Sequence, residues 1–224
     1  MTPAKAQQKK LGHRTVVARR KRAAMRARIL QATMKVCSHQ GNRVPKVDDI
    51  VETAGISKGG FYRYFSSAGD ALEKLGKECA DEFSQTILPV YNVLDDPLKR
   101  ACVGTMLVLR RAVHDPEWAG YLIRADLTDH ESRLLRFIET DLRRGMEIGQ
   151  FQGSDAIAMS ELILGINHTA IRVILRRKIS DPDEYIRNAV RFLLRAMGAA
   201  DPAIEDVLIW SSGYFRSIEA TGKW

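Results

Sequence analysis

Hydrophobic residues recur at three- and four-residue spacing along most of the chain. This period predicts amphipathic helices, the first from about Ala18 to His39 and then two short ones over roughly 47–54 and 58–64. A fourth stripe starts at Leu72, and Pro89 should kink or end that helix. No strand pattern is longer than a few residues and no internal repeat is present. The sequence therefore predicts an all-α fold.

The chain after residue 96 also shows only helical patterns. Helices are predicted over about residues 97–114, 130–149, 155–178 and 182–198, with a short element from Pro116 and a last helix from Asp201. Ser154 is the predicted N-cap of the third of these. That helix has apolar residues on nearly all sides, so we expect it to be buried all round. Asp181 and Gly198 are the predicted ends of the fourth.

The two short helices are joined by a tight turn. Gly55 stands where the first must stop, because a residue without Cβ takes the left-handed conformation at little cost. Ile56 fills the corner, and Ser57 is a good N-cap for a helix that begins at Lys58. This is the pattern of a helix-turn-helix, whose second helix normally enters the DNA major groove. The sequence therefore predicts a DNA-binding protein.

The distribution of charge supports this prediction independently. Residues 1–47 hold 13 of the 35 lysines and arginines and no acidic residue, which leaves 22 basic residues against all 27 acidic ones in the remainder. Positive charge concentrated beside a helix-turn-helix is typical of phosphate binding. We predict three regions: a mobile basic arm over 1–17, the DNA-binding domain over 18–66, and a helical domain for ligand binding and dimerisation over 67–224.

Composition narrows the cellular setting. With 45% hydrophobic residues the 224-residue chain can bury a core. Cys37, Cys79 and Cys102 form no close pair, which fits buried thiols in a reducing cytosol. Neither a secretory signal nor an uninterrupted transmembrane stretch is evident. We expect a cytoplasmic, nucleoid-associated protein.

Enzyme function is not expected. The sequence has no glycine-rich phosphate loop, nucleophile elbow or HExxH motif. The five histidines are scattered, so no metal site and no cofactor are predicted.

The turn and the aromatic end of the second short helix carry a family resemblance. Ala54-Gly-Ile-Ser-Lys-Gly59 and Phe61-Tyr-Arg-Tyr-Phe65 resemble the N-terminal domain of the TetR/AcrR family of transcriptional regulators. The resemblance implies a homodimer, a ligand pocket in the C-terminal helical domain, and release of DNA when a ligand binds.

The chain departs from the family pattern at three positions. Lys46 replaces the threonine or serine that usually caps the second helix, Gly60 replaces a small hydroxyl residue, and Ala68 replaces a lysine. The basic arm could compensate for the contacts that are lost.

Candidate DNA contacts come from the motif and from the basic residues before it. Lys58 can reach guanine acceptors or a phosphate, and Arg63 is the best remaining candidate for a base contact. The full set of expected DNA contacts is Lys46, Thr53, Ser57, Lys58, Gly59, Gly60, Tyr62, Arg63, Tyr64, Arg19, Arg22 and Arg26; Arg20, Lys21 and Arg28 could also touch phosphates. Core packing is the alternative for Phe61, Tyr64 and Phe65.

Effector contacts are expected in the C-terminal domain, where polar and aromatic residues interrupt apolar helices. The candidates are Met106, Arg110, Trp118, Tyr121, Phe137, Asn167 and His168. For His168, Trp118 and Tyr121 the alternative is ordinary core or interface packing, and for the arginines it is solvation or ion pairing. The effector itself is not identified.

The helices over about 155–178 and 182–198 are the expected dimer interface, and the apolar face from Ile186 to Met197 is its second half. The alternative is that both helices are buried only against their own monomer. We therefore expect a ligand-responsive repressor that binds a palindromic operator as a homodimer. A transcriptional activator of the same fold and a non-specific architectural DNA-binding protein are the alternatives.

Overall fold

A computed structural model of the chain describes residues 3–39, 45–123 and 133–220. Within these ranges all regular secondary structure is α-helical, which confirms the predicted all-α fold. The ten helices of these described ranges are α1 Pro3–His39, α2 Val47–Ala54, α3 Lys58–Tyr62, α4 Ala68–Val93, α5 Pro97–His114, α6 Pro116–Leu122, α7 Arg133–Glu147, α8 Ala156–Arg176, α9 Pro182–Ala196 and α10 Asp201–Ala220.

Helix α1 starts well before the predicted position. It begins at Pro3 rather than near Ala18, so the predicted start of this helix is wrong. This segment lacks amphipathic periodicity but is rich in alanine, glutamine and lysine, which have high intrinsic helix propensity. Propensity and continuity with the helix that follows therefore outweigh the missing apolar stripe.

The chain divides into two compact units, Met1–Lys77 and Glu78–Trp224. In the first unit, α1 packs against α2 and α2 packs against α3. The buried residues of these three helices and the segment just after them are Ile29, Leu30, Ala32, Thr33, Val36, Cys37, Ile50, Ala54, Phe61 and Phe65. The apolar stripe predicted for α1 is therefore the face that joins it to the helix-turn-helix.

Helix α5 is the centre of the second unit. It packs against α6, α7, α8, α9 and α10. Its start matches the prediction because it is marked by strong local signals: Asp96 accepts a hydrogen bond from the N–H of Lys99 at 3.0 Å, and Pro97 occupies the first turn. All three cysteines are buried and free, as expected.

The N-cap of α8 is Asp155 rather than the predicted Ser154. The Asp155 carboxylate accepts hydrogen bonds from the N–H groups of Ile157 at 2.9 Å and Ala158 at 3.1 Å. A carboxylate there also interacts favourably with the positive end of the helix dipole, which a serine hydroxyl cannot match.

Two predictions about buried faces are wrong for the single chain. Helix α8 is not buried all round, since the side chains of Leu162 and Ile157 are 68% and 45% exposed. Conversely, the apolar face of α9 that we assigned to a dimer is internal. Ile186, Val190 and Leu193 are at most 3% exposed, because α5 and α10 pack against α9.

Candidate nucleic-acid interface

The turn between α2 and α3 has the geometry that the sequence predicts. Gly55 adopts φ 63° and ψ 44°, the left-handed conformation. Its N–H donates to the carbonyl of Glu52 at 3.1 Å, and the N–H of Ile56 donates to the carbonyl of Val51 at 3.0 Å. This pair of bonds is a Schellman motif. It satisfies carbonyls at the end of α2 and turns the chain into α3.

Each of the two short helices has a distinct N-cap. Ser57 Oγ accepts a hydrogen bond from the N–H of Gly60 at 3.1 Å, as predicted. At the start of α2, Lys46 offers no side-chain acceptor. Instead, Asp49 Oδ2 accepts from the backbone N–H of Lys46 at 3.4 Å. The cap of α2 is therefore formed by the residue at its third position, which explains how lysine is tolerated there.

The aromatic end of the motif divides into core and surface. Phe61 and Phe65 are buried, with ring centroids 5.8 Å apart, and the guanidinium of Arg26 lies 5.7 Å from the Phe65 centroid. Tyr62 is exposed and Tyr64 is half-buried. The two phenylalanines therefore anchor α3, while the tyrosines are positioned to contact a partner.

Apart from Lys58, the first turn of α3 presents little more than backbone. A Cβ added to Gly59 would meet nothing within 4 Å, and one added to Gly60 would only reach ordinary contact with Ser57 Oγ at 3.4 Å. Neither glycine has a positive φ. Their absence of side chains is thus not required by the fold of this unit, and it leaves the surface of α3 open to close approach.

Lys58 is paired within the chain. Its Nζ lies 2.6 Å from Asp48 Oδ1 of α2, and both side chains are about two-thirds exposed, at 62% and 66%. The hydrogen bond and the charge of Asp48 raise the pKa of Lys58. The sequence analysis missed this partner, because the two residues are ten positions apart and only the turn brings them together.

Basic residues of α1 and of the segment after α3 meet at one groove, which we call the basic groove. It has a volume of about 550 Å³ and is lined by Ala18, Lys21, Arg22, Met25, Arg63 and Tyr64. Three cations and a phenol thus surround a small apolar floor. Of the remaining candidates, Arg19 and Thr53 are exposed on α1 and α2 outside this groove.

The candidates for effector binding are spread over the second unit. Met106, Trp118 and Tyr121 are buried, and Phe137 is half-buried. Arg110 is engaged within the chain: it lies 3.6 Å from Asp183 and its guanidinium is 4.3 Å from the Phe215 centroid.

His168 is likewise satisfied internally. Its Nε2 lies 2.6 Å from the carbonyl oxygen of Ile123, and its Nδ1 lies 3.1 Å from a guanidinium nitrogen of Arg172. Because a carbonyl and an arginine can only accept and donate respectively, this network assigns the proton to Nε2. The alternative prediction of an internally bonded histidine therefore fits better than a ligand contact.

Asn167 differs from its neighbour. Its Nδ2 donates to the carbonyl of Ile163 at 3.0 Å, whereas its Oδ1 is buried and has no donor within reach among the described residues. A buried acceptor without a donor costs about 1–3 kcal/mol. A donor on a ligand could complete the bonding of this oxygen.

Comparison with known proteins agrees with the predicted resemblance. Residues 29–69 match the family model described as bacterial regulatory proteins, tetR family. No curated protein shows significant similarity to the chain. A family of regulatory proteins also agrees with the expectation that the chain is not an enzyme.

Several solved structures share the fold. RolR in complex with resorcinol has 22% sequence identity and a TM-score of 0.62, over 84% of this chain and 95% of RolR. The fatty acid degradation regulator FadR from Bacillus halodurans has 20% identity and a TM-score of 0.61, over 75% and 97%. A transcriptional regulator from Agrobacterium tumefaciens has 17% identity and a TM-score of 0.65, over 80% and 99%. At these identities the likeness establishes the fold alone.

Proposed function

Since the chain carries the N-terminal domain of the bacterial regulatory proteins of the tetR family, we propose that it is a transcriptional repressor. In this proposal it binds a palindromic operator as a homodimer and leaves the DNA when a small-molecule effector binds. The basic groove carries the proposal, because it gathers Lys21, Arg22 and Arg63 beside the recognition helix α3. Cations arranged along one side of a helix-turn-helix suit a DNA backbone, while α3 reaches base edges.

The roles of the predicted contacts follow from their positions in this unit. Lys58 at the start of α3 is proposed to reach a base or phosphate, and Gly59 and Gly60 allow the backbone of α3 to come close to the DNA. Tyr62, Tyr64 and Thr53 are proposed to hydrogen-bond phosphates. Arg63 is proposed to bind at the edge of the groove, where it can reach either a base or the backbone.

A homodimer is proposed on the exposure of α8 and α9. Leu162 on α8 and Phe192 on α9 are 68% and 69% exposed, and Gly165 on α8 has open space where a Cβ would stand. Large apolar side chains exposed on neighbouring helices are typical of a covered surface. The second copy would read a half-site about one helical turn or more away.

Helix α8 is also long and apolar enough to cross a membrane by length and composition. This is weak support for a membrane span, because the helix carries Glu161, His168 and Arg172 and packs against α5, α6 and α7. We propose instead that its exposed apolar side chains face a second copy in the cytoplasm.

Effector binding is proposed for the second unit, with Asn167, Met106, Trp118, Tyr121 and Phe137 as the candidate contacts. The buried Oδ1 of Asn167 supports it, since a hydroxyl or amine of a ligand could donate to that oxygen. RolR, which shares the fold, was crystallised with resorcinol, a ligand that has two hydroxyl groups.

A gel-shift assay on the promoter nearest to the chain's own coding region tests the proposal. We expect a discrete shifted complex that candidate metabolites dissolve, and repression of a reporter placed behind that promoter. Binding that no small molecule relieves would contradict the effector part of the proposal. Activation of the reporter would favour the alternative of an activator.

A further inference from the structure

The pair formed by Lys58 and Asp48 joins the first residue of the recognition helix to the first turn of α2. The 2.6 Å separation of Nζ and Oδ1 is that of a direct charge-assisted hydrogen bond. Both side chains are mostly exposed. Ion pairs of this kind contribute little to folding stability, and the favourable interaction of Asp48 with the positive end of the α2 dipole does not require Lys58.

The charge context makes Asp48 unusual. It is the first acidic residue of the chain, after 13 basic residues. Helix α3 contains one charged side chain, Lys58, because the next residues are Gly59 and Gly60. Pairing with Asp48 therefore neutralises the only charge that α3 itself carries.

The free-energy cost of separating Lys58 from Asp48 depends on which hydrogen-bond acceptors the DNA presents to Lys58. An ammonium that leaves Asp48 must gain comparable hydrogen bonds, and a guanine edge presents two acceptors in fixed positions. A pair that remains closed on other DNA leaves Lys58 with no net charge to offer a phosphate.

On the basis of the proposed function, we propose that Asp48 is a specificity-determining residue, which restrains Lys58 on non-operator DNA and releases it only to the operator. It acts through Lys58 and is therefore a positioning residue. Removal of the Asp48 charge raises affinity for any duplex. The increase is largest for a duplex on which Lys58 was still paired with Asp48.

The test compares two duplexes, one selected from random sequence by the wild-type chain and one a shuffled duplex of the same composition. One released cation changes affinity by about fivefold at 0.15 M salt, from a slope near −0.9 per neutralised phosphate. We therefore expect Asp48→Asn to bind the shuffled duplex about fivefold more tightly per protomer, with a steeper salt dependence. Affinity for the selected duplex should rise less, so the ratio between the two duplexes falls.

Glu52→Gln is the matched control. Glu52 is exposed on α2, one turn after Asp48, and the same charge is removed without breaking the pair with Lys58. It should change the affinity ratio much less than Asp48→Asn. In a Lys58→Met background, the effect of Asp48→Asn should shrink to that of Glu52→Gln.

Equal effects of Asp48→Asn and Glu52→Gln would overturn this inference while leaving the proposed function intact. So would an undiminished effect of Asp48→Asn in the Lys58→Met background. A wild-type chain that selects no duplex over the shuffled one would instead overturn the proposed function, and this inference with it. Circular dichroism of each variant establishes that it is folded.

Discussion

Gly55 is a residue at which one substitution should destabilise the fold of the first unit. Its φ of 63° lies in the left-handed region, where a residue with a Cβ costs roughly 1–2 kcal/mol. In Gly55→Ala the new Cβ would stand 2.9 Å from the guanidinium nitrogen of Arg28. That contact is with the end of a flexible, exposed side chain, which can move. The backbone strain therefore determines the cost.

Hydrogen exchange measured by mass spectrometry reports this cost locally. A loss of 1–2 kcal/mol corresponds to about a 5–30-fold change in the folded-to-unfolded ratio, so protection of the α2 and α3 amides should fall by about that factor in Gly55→Ala. The amides of α5, in the other unit, should be unchanged. DNA affinity should fall as well, because the turn sets the orientation of α3.

Gly59→Ala is the matched control within the same motif. Gly59 has no positive φ and open space where its Cβ would stand, so alanine should stabilise α3 by roughly 0.5–1 kcal/mol. Protection in α3 should rise slightly while DNA affinity falls, since the added methyl group lies on the surface proposed to approach DNA. Wild-type protection in Gly55→Ala, or equal destabilisation by both alanines, would refute the reasoning.

Three further predictions concern the groove, the dimer and the thiols. Arg22→Ala or Arg63→Ala should each lower DNA affinity about fivefold at 0.15 M salt, and should reduce the slope of log affinity against log salt concentration by about 1 per protomer. Fluorescence anisotropy across a salt series measures this slope. An unaltered slope would show that the groove does not face DNA. Leu162→Glu should convert a dimer to a monomer, as measured by sedimentation velocity. The control Ile148→Glu changes an exposed residue outside α8 and α9 and should remain dimeric. A dimeric Leu162→Glu variant would contradict the proposal that α8 forms the dimer interface. Burial raises the pKa of Cys79 to about 11 and of Cys102 to about 12, so both thiols stay protonated at pH 8. They should react with Ellman's reagent only after the protein unfolds. Rapid labelling of the native protein would contradict their burial.

The sequence predicted best those elements whose ends carry local signals. The ends of α2 and α5 matched because Gly55, Asp96 and Pro97 determine backbone geometry through their own chemistry. The start of α1 was missed because helix propensity operates there without an apolar stripe. At α8, two adjacent capping residues compete, and the carboxylate of Asp155 has the advantage over the hydroxyl of Ser154.

Contacts between elements could not be predicted from the pattern. An apolar face such as that of α9 is equally suited to the core and to a partner, and only the packing of α5 and α10 against it decides between them. The pairing of Lys58 with Asp48, and the position of Arg22 and Arg63 on the same groove, depend on the angle of the turn. The sequence identified the candidate residues, but it did not show which of them lie close together.

The most direct test of the account is a nuclease footprint of the wild-type chain on the promoter region nearest to its own coding region. The account predicts one short protected site with an inverted repeat, whose half-sites are centred about one helical turn or a multiple apart. Two results would contradict the claim that this chain reads a specific operator. One is uniform coating of the fragment. The other is no protection at salt concentrations where unrelated DNA is also unbound.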